Sequence, residues 1–160
     1  RAEMRTLLLE LRPAALIETG LSDLLHQLTA AAAGRAGVPV SVAVSGDCIL
    51  PPDVHVAVYR IAQEALNNVV KHARASQVEL SLHCATAPDG TGREVQLYIR
   101  DDGRGFDPGG IAPDHLGLGI MRERAETIGA HLQIETAIGQ GSRVSLSWVE
   151  AGDTEGAAGR

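Results

Sequence analysis

The chain has 160 residues, enough for one domain with a single substantial core. Apolar residues make up 44% and charged residues 21%, as in ordinary globular domains; aromatics at 2% leave the core to Leu, Ile, Val and Ala. The net charge of −6 argues against a general nucleic-acid binder, and no stretch reads as a membrane span or signal core, so a soluble, cytoplasmic piece is expected, whatever anchor a longer parent carries.

The chain opens inside a helical pattern without a cap, which predicts a cut from a longer protein. Met4, Leu7, Leu8 and Leu11 stand at helical spacing up to Pro13. After Gly20 a second helix is expected from Leu21 to about Ala33, closed by Gly34 and Gly37. Val38–Val44 alternates as a strand. The longest helix follows, with Asp53 as its N-cap and apolar residues from Val54 to Val70 repeating at helical spacing to about Ala73. Strands are expected over Gln77–Cys84 and Glu94–Arg100. Residues 101–117, rich in Gly, Asp and Pro, hold no regular element. A helix from about Leu118 to Ile128 and strands over His131–Thr136 and Ser142–Val149 complete the pattern. The Gly/Ala- and acid-rich end is expected to be disordered. Helices alternating with about five strands predict an α/β fold, a mixed sheet covered on one face by helices. Cys48 and Cys84 are far apart and have no Cys or His at metal-ligand spacing, so both are expected as reduced, small apolar residues.

Three clusters carry chemistry. On the long helix, Glu64, Asn68 and Lys71 fall along one stripe, with His72 beside them. The stripe offers a carboxylate, an amide oxygen suited to Mg²⁺ and a point charge for phosphate. Alone it is also an ordinary solvated helix face. Asp101-x-Gly103-x-Gly105 follows a strand directly; its glycines let backbone approach a ligand, and its carboxylate can accept from a planar amino group. Gly117-Leu118-Gly119 opens a helix, where free amides favour phosphate. Gly139-Gln140-Gly141-Ser142 adds a further turn. Each of these is also a common tight turn, and neither the P-loop nor the dinucleotide fingerprint is present.

In this order, however, the four segments resemble the nucleotide site of the gyrase, heat-shock chaperone, histidine kinase and MutL (GHKL) ATPase superfamily. Tyr59-Arg60-Ile61-Ala62-Gln63-Glu64-Ala65-Leu66-Asn67-Asn68-Val69-Val70-Lys71-His72-Ala73 resembles the N box of nitrate/nitrite-sensor-type histidine kinases. Gly119-Ile120-Met121-Arg122-Glu123-Arg124-Ala125 is similar to the segment after their second glycine box, and Glu10-Leu11-Arg12-Pro13 to the end of their dimerisation helix. The resemblance covers roughly residues 4–149.

It implies a two-layer α/β sandwich holding ATP between its helices and a flexible lid. Residues 1–20 would be the stub of a dimerisation helix and its linker, 21–150 the ATP-binding catalytic domain and 151–160 a tail. Asp101 would bond the adenine amino group, with Ser142 helping through a water; Asn68 would bind Mg²⁺. Lys71 would contact phosphate and His72 would line the ribose-phosphate side. Gly103 and Gly105 would open the lid, Gly117, Leu118 and Gly119 would close it, and Gly109-Gly110 would make it mobile. Gly141 belongs to the last glycine turn of the site. Glu64 would polarise a nucleophile or serve as a partner of Mg²⁺ waters or Lys71. Arg122 and Arg124 would reach phosphate, another domain or solvent. The implied reaction passes the γ-phosphoryl of MgATP to a histidine on a dimerisation domain and then to a response-regulator aspartate. The parent would be a homodimer; this piece would be a monomer, or an artificial dimer through Leu7, Leu8, Leu9 and Leu11 of the stub. His26, His55, His83, His115 and His131 do not match the family's acceptor context, so the piece is not expected to phosphorylate itself. The rival readings are a stand-alone ATPase in which Glu64 activates water, an anti-sigma-factor-type serine kinase, and a scaffold without catalysis.

Overall fold

The computed structural model describes residues 13–105 and 117–151. Its elements, in chain order, are α1 (Pro13–Glu18), α2 (Leu21–Ala36), β1 (Val40–Ser45), α3 (Pro52–Asn68), a π-helical turn (Val69–Ala73), β2 (Val78–Thr86), β3 (Arg93–Asp101), α4 (Leu118–Thr127), β4 (His131–Thr136) and β5 (Ser142–Val149). The five strands form one sheet in the order β1-β2-β3-β5-β4. β1 and β2 run parallel, as α3 crossing between them requires; every other pairing is antiparallel.

Alternation decides the faces. β2 buries Val78, Leu80, Leu82 and Cys84, and β3 buries Val95, Leu97, Ile99 and Asp101, while Glu79, His83, Gln96 and Arg100 face out. Against the buried face pack Leu21, Leu24 and Leu25 of α2, Val58, Ile61, Ala62 and Leu66 of α3, and Met121 and Ala125 of α4. The result is the two-layer sandwich expected. Leu16 of α1 is 0% exposed and belongs to the same core, and its carbonyl lies 2.8 Å from Nε2 of buried His55. That segment therefore packs on the domain body. Among the described residues no helix is long and apolar enough to cross a membrane.

Three expectations are corrected. α2 runs through Gly34 to Ala36 and ends at Gly37, whose left-handed backbone (φ 70°) turns its N–H to the Ala33 carbonyl at 2.9 Å. α3 is capped by Pro51, with Pro52 at its first position; Asp53 sits inside the first turn and makes no side-chain cap. Pro52 presets the helical φ at the first position and its missing N–H costs nothing there, which moves the start one residue ahead of Asp53; the carboxylate then stands in the first turn, where it favours the helix dipole.

The third correction is larger: Cys48 and Cys84 form a disulfide, with Cα atoms 5.2 Å apart. Gly46, at φ 84°, lets the chain after β1 lie directly on β2; a Cβ there would collide with the Cys84 carbonyl oxygen. This close passage brings together two cysteines separated by 36 positions. The expected dimerisation stub (1–12), the expected lid (106–116, with His115) and most of the expected tail (152–160) lie outside the described residues.

Candidate functional site

The site is built on the end of β3. Asp101 is only 5% exposed, and its Oδ1 accepts the Gly103 N–H at 2.9 Å. Burial pushes its carboxyl above the usual carboxylate range, partly offset by the Gly103 amide; the Asp102 charge adds to the rise and the Ser142 amide opposes it. In register, Asp101 stands between Val78 of β2 and Ser142 of β5. The turn before Ser142 folds onto it: Gly141 has φ 74°, and a Cβ there would collide with the Asp101 carbonyl oxygen. The Ser142 hydroxyl lies 2.9 Å from that of Thr136.

Above Asp101 opens a narrow slot. Its sheet side is Ile99, Ile134 and Val144, and its helix side is Ala65, Val69, Leu118 and Met121. Polar groups enter at Asn68, His72, Asp101 and Ser142, with Gly105 at the edge. Apolar walls with one buried carboxylate suit a flat heteroaromatic ring carrying an amino group.

The helix supplies the other end. Glu64 and Asn68 lie one α-turn apart, but beyond Asn68 the backbone widens into the π-turn. His72 consequently reaches the slot, whereas Lys71 is exposed and does not line it. Glu64 is half-buried and stays outside the slot; its Oε2 lies 2.5 Å from where a Cβ on Gly117 would stand. Gly117 caps α4, and Met121 donates its N–H to the Gly117 carbonyl at 3.0 Å. Around Gly119 nothing lies within 4 Å of an added Cβ, so this backbone is open to an approaching group. Arg122 is exposed and Arg124 half-buried. Among the described residues no group of three His, Cys, Asp or Glu could hold a metal by itself. A cation here would have to share the Asn68 amide oxygen with oxygens of a substrate.

The structure thus gathers Asn68, His72, Asp101, Gly105, Leu118 and Ser142 into one slot, while Gly103 and Gly141 support Asp101 from behind. Several contributors escaped the sequence. Ile99, Ile134 and Val144 stand two residues from Asp101, Thr136 and Ser142 respectively, and strand alternation around those residues was the signal that could have marked them. Asp102 and Arg104, on either side of Gly103, carried no such signal. The Asp102 carboxylate accepts from Ser76 N at 2.8 Å, from the Ser76 hydroxyl and from Gln77 N at 3.1 Å. Foremost the Ser76 hydroxyl, then the Gln77 amide, hold its carboxyl below the usual range. Arg104 Nε donates to the His72 carbonyl at 2.6 Å.

Residues 53–152, more than half of the chain, match the family described as histidine kinase-, DNA gyrase B-, and HSP90-like ATPase. The chain belongs to this ATPase family. Within it, the chain is 41% identical over 110 residues to the nitrate/nitrite sensor protein NarQ of Escherichia coli, covering 66% of this chain and 19% of that protein. It is 31% identical to the sensor histidine kinase LiaS of Bacillus subtilis over 90% of this chain and 38% of LiaS. The corresponding values for the Bacillus subtilis sensor histidine kinase YhcY are 34%, 91% and 36%. The chain therefore spans 19% to 38% of the length of these relatives. In fold it is similar to the histidine kinase domain of the blue-light activated histidine kinase from Erythrobacter litoralis, with a TM-score of 0.61 at 22% identity over 80% of this chain and 60% of that one. ShkA, solved in complex with AMPPNP, gives a TM-score of 0.61 at 22% identity over 81% of this chain and 30% of that one. This ATPase domain is of the kind found in sensor histidine kinases.

Proposed function

We propose that this chain is the catalytic domain of a two-component sensor histidine kinase, binding MgATP and donating its γ-phosphoryl to a histidine on a separate dimerisation domain, for onward transfer to an aspartate of a response regulator. The observation that carries the proposal is Asp101, a buried carboxylate at the base of an apolar slot in an ATPase domain with sensor-kinase relatives. The slot walls hold the adenine, and Asp101 accepts from its amino group, with the Ser142 hydroxyl beside it. His72 and Lys71 face the ribose and phosphates. Asn68 gives one oxygen to Mg²⁺, which neutralises charge on the phosphates. Gly103 and Gly105 open the lid, and Gly117, Leu118 and Gly119 close it where the amides at the start of α4 meet phosphate. Glu64, beside Gly117, takes the proton from, or orients, the attacking imidazole.

Residues 1–20 then lead from the dimerisation helix of a homodimeric, cytoplasmically facing parent, and residues 151–160 form a tail. His55 is buried and tied to Leu16, and His26, His83, His115 and His131 lie outside the family's acceptor context, so this chain alone is not expected to label itself.

The experiment mixes the chain with γ-labelled ATP and a separately purified dimerisation domain of a nitrate/nitrite-type sensor kinase. Label should appear on the dimerisation domain as acid-labile phosphohistidine and pass to a receiver domain. Asn68→Ala should lower the rate by about 100-fold or more through loss of the metal contact, and Glu64→Gln by roughly 100-fold with ADP affinity unchanged. Phosphate release without labelling of any acceptor would instead establish a stand-alone ATPase.

A further inference from the structure

The π-turn is the least self-sufficient part of the site. Its hydrogen-bonded loop spans one residue more than that of the α-helix before it, and it closes on Arg74, a non-glycine residue in the left-handed region at φ 48°. Such backbone persists where its surroundings hold it. Here the surroundings include the segment just after Asp101. Arg104 grips the π-turn at the His72 carbonyl, and Asp102 grips the exit at the Ser76 and Gln77 amides and the Ser76 hydroxyl. One five-residue stretch, 101–105, thus holds the buried carboxylate with one side chain and clamps the backbone bearing Lys71 and His72 with two others.

We propose that Asp102 and Arg104 are positioning residues that fix the phosphate-facing end of the site relative to its ring-facing end. This inference rests on the nucleotide-binding function proposed above. Both side chains are exposed and neither lines the slot, so they act through the segment they hold, Arg104 at the His72 carbonyl and Asp102 at the Ser76 and Gln77 amides and the Ser76 hydroxyl. Their loss leaves the apolar walls and the Asp101–Gly103 hydrogen bond in place, and sensitivity to them should appear mainly for ligands that carry phosphates. Asparagine at 102 keeps an oxygen for both amides and should largely restore the clamp.

The test is a titration of adenosine and of the non-hydrolysable analogue AMPPNP with Mg²⁺, followed by NMR chemical shifts, on the wild type, Asp102→Ala, Asp102→Asn and Arg104→Ala. The expected result is a loss of about 5- to 20-fold in AMPPNP affinity for the two alanine variants, with adenosine affinity unchanged and Asp102→Asn close to wild type. Equal losses for both ligands, or no loss for either, would overturn the proposal. A wild type that binds neither compound would overturn the nucleotide-binding function and this inference with it, an outcome distinct from the first two.

Discussion

Asp101→Asn is expected to weaken ADP binding by roughly 10- to 100-fold while leaving the thermal midpoint unchanged or slightly raised. The asparagine oxygen can still accept the Gly103 N–H, so the local turn survives. The remaining position then presents an N–H₂ to the amino group of adenine, donor against donor. Folding responds in the opposite sense. Burial raises the Asp101 pKa in the folded protein above its unfolded value. The folded state therefore binds more protons between those two values, and stability falls as pH rises through that window. At neutral pH the ionised carboxylate is a burden on the fold that a neutral amide removes. From the same shift, ADP affinity should decline on acidification at a pH above the ordinary aspartate range. Affinity titrations and thermal unfolding on both proteins check this; unchanged affinity, or a loss matched by a collapse in stability, would contradict the role given to Asp101.

The second large effect concerns the crosslink. Closing a loop of 36 residues stabilises a fold by roughly 3–4 kcal/mol in the chain-entropy account, so reduction of Cys48–Cys84 should lower the midpoint by about 10 °C. Cys48→Ser should reproduce that shift and abolish the response to reductant. The site should not notice. Val78, at the start of β2, pairs with Asp101, whereas Cys84 lies six residues further along the strand, about 20 Å away. Below the midpoint, ADP affinity should be equal with and without reductant. Differential scanning with and without a phosphine reductant decides; identical midpoints would contradict the structural role of the bond.

Much of this was legible because strand and helix periodicities carry it. His131–Thr136 and Ser142–Val149 match their observed strands residue for residue, since both are alternating runs bounded by glycine turns. Asp101 and Ser142, placed at strand starts and ends by that alternation, came out opposite one another. What escaped was non-local or irregular. The disulfide depends on a close passage of Gly46 over β2, which no spacing encodes. The π-turn breaks the regular stripe of Glu64, Asn68 and Lys71: a helical wheel assumes a constant turn, whereas the backbone here is held by Arg104 and Asp102, more than 25 positions away. Asp53 looked like a cap because its side chain suits one, but the two preceding prolines had already set the helix start.

The most direct test of the nucleotide-binding account is a calorimetric comparison of ADP and GDP, with Mg²⁺, on the wild-type chain. On the proposed function, Asp101 would accept from the adenine amino group, at the ring position where guanine carries a carbonyl oxygen. The account predicts one ADP site per chain and no measurable GDP binding, whereas a folded chain that gives no heat with ADP, or binds both nucleotides equally, would contradict it.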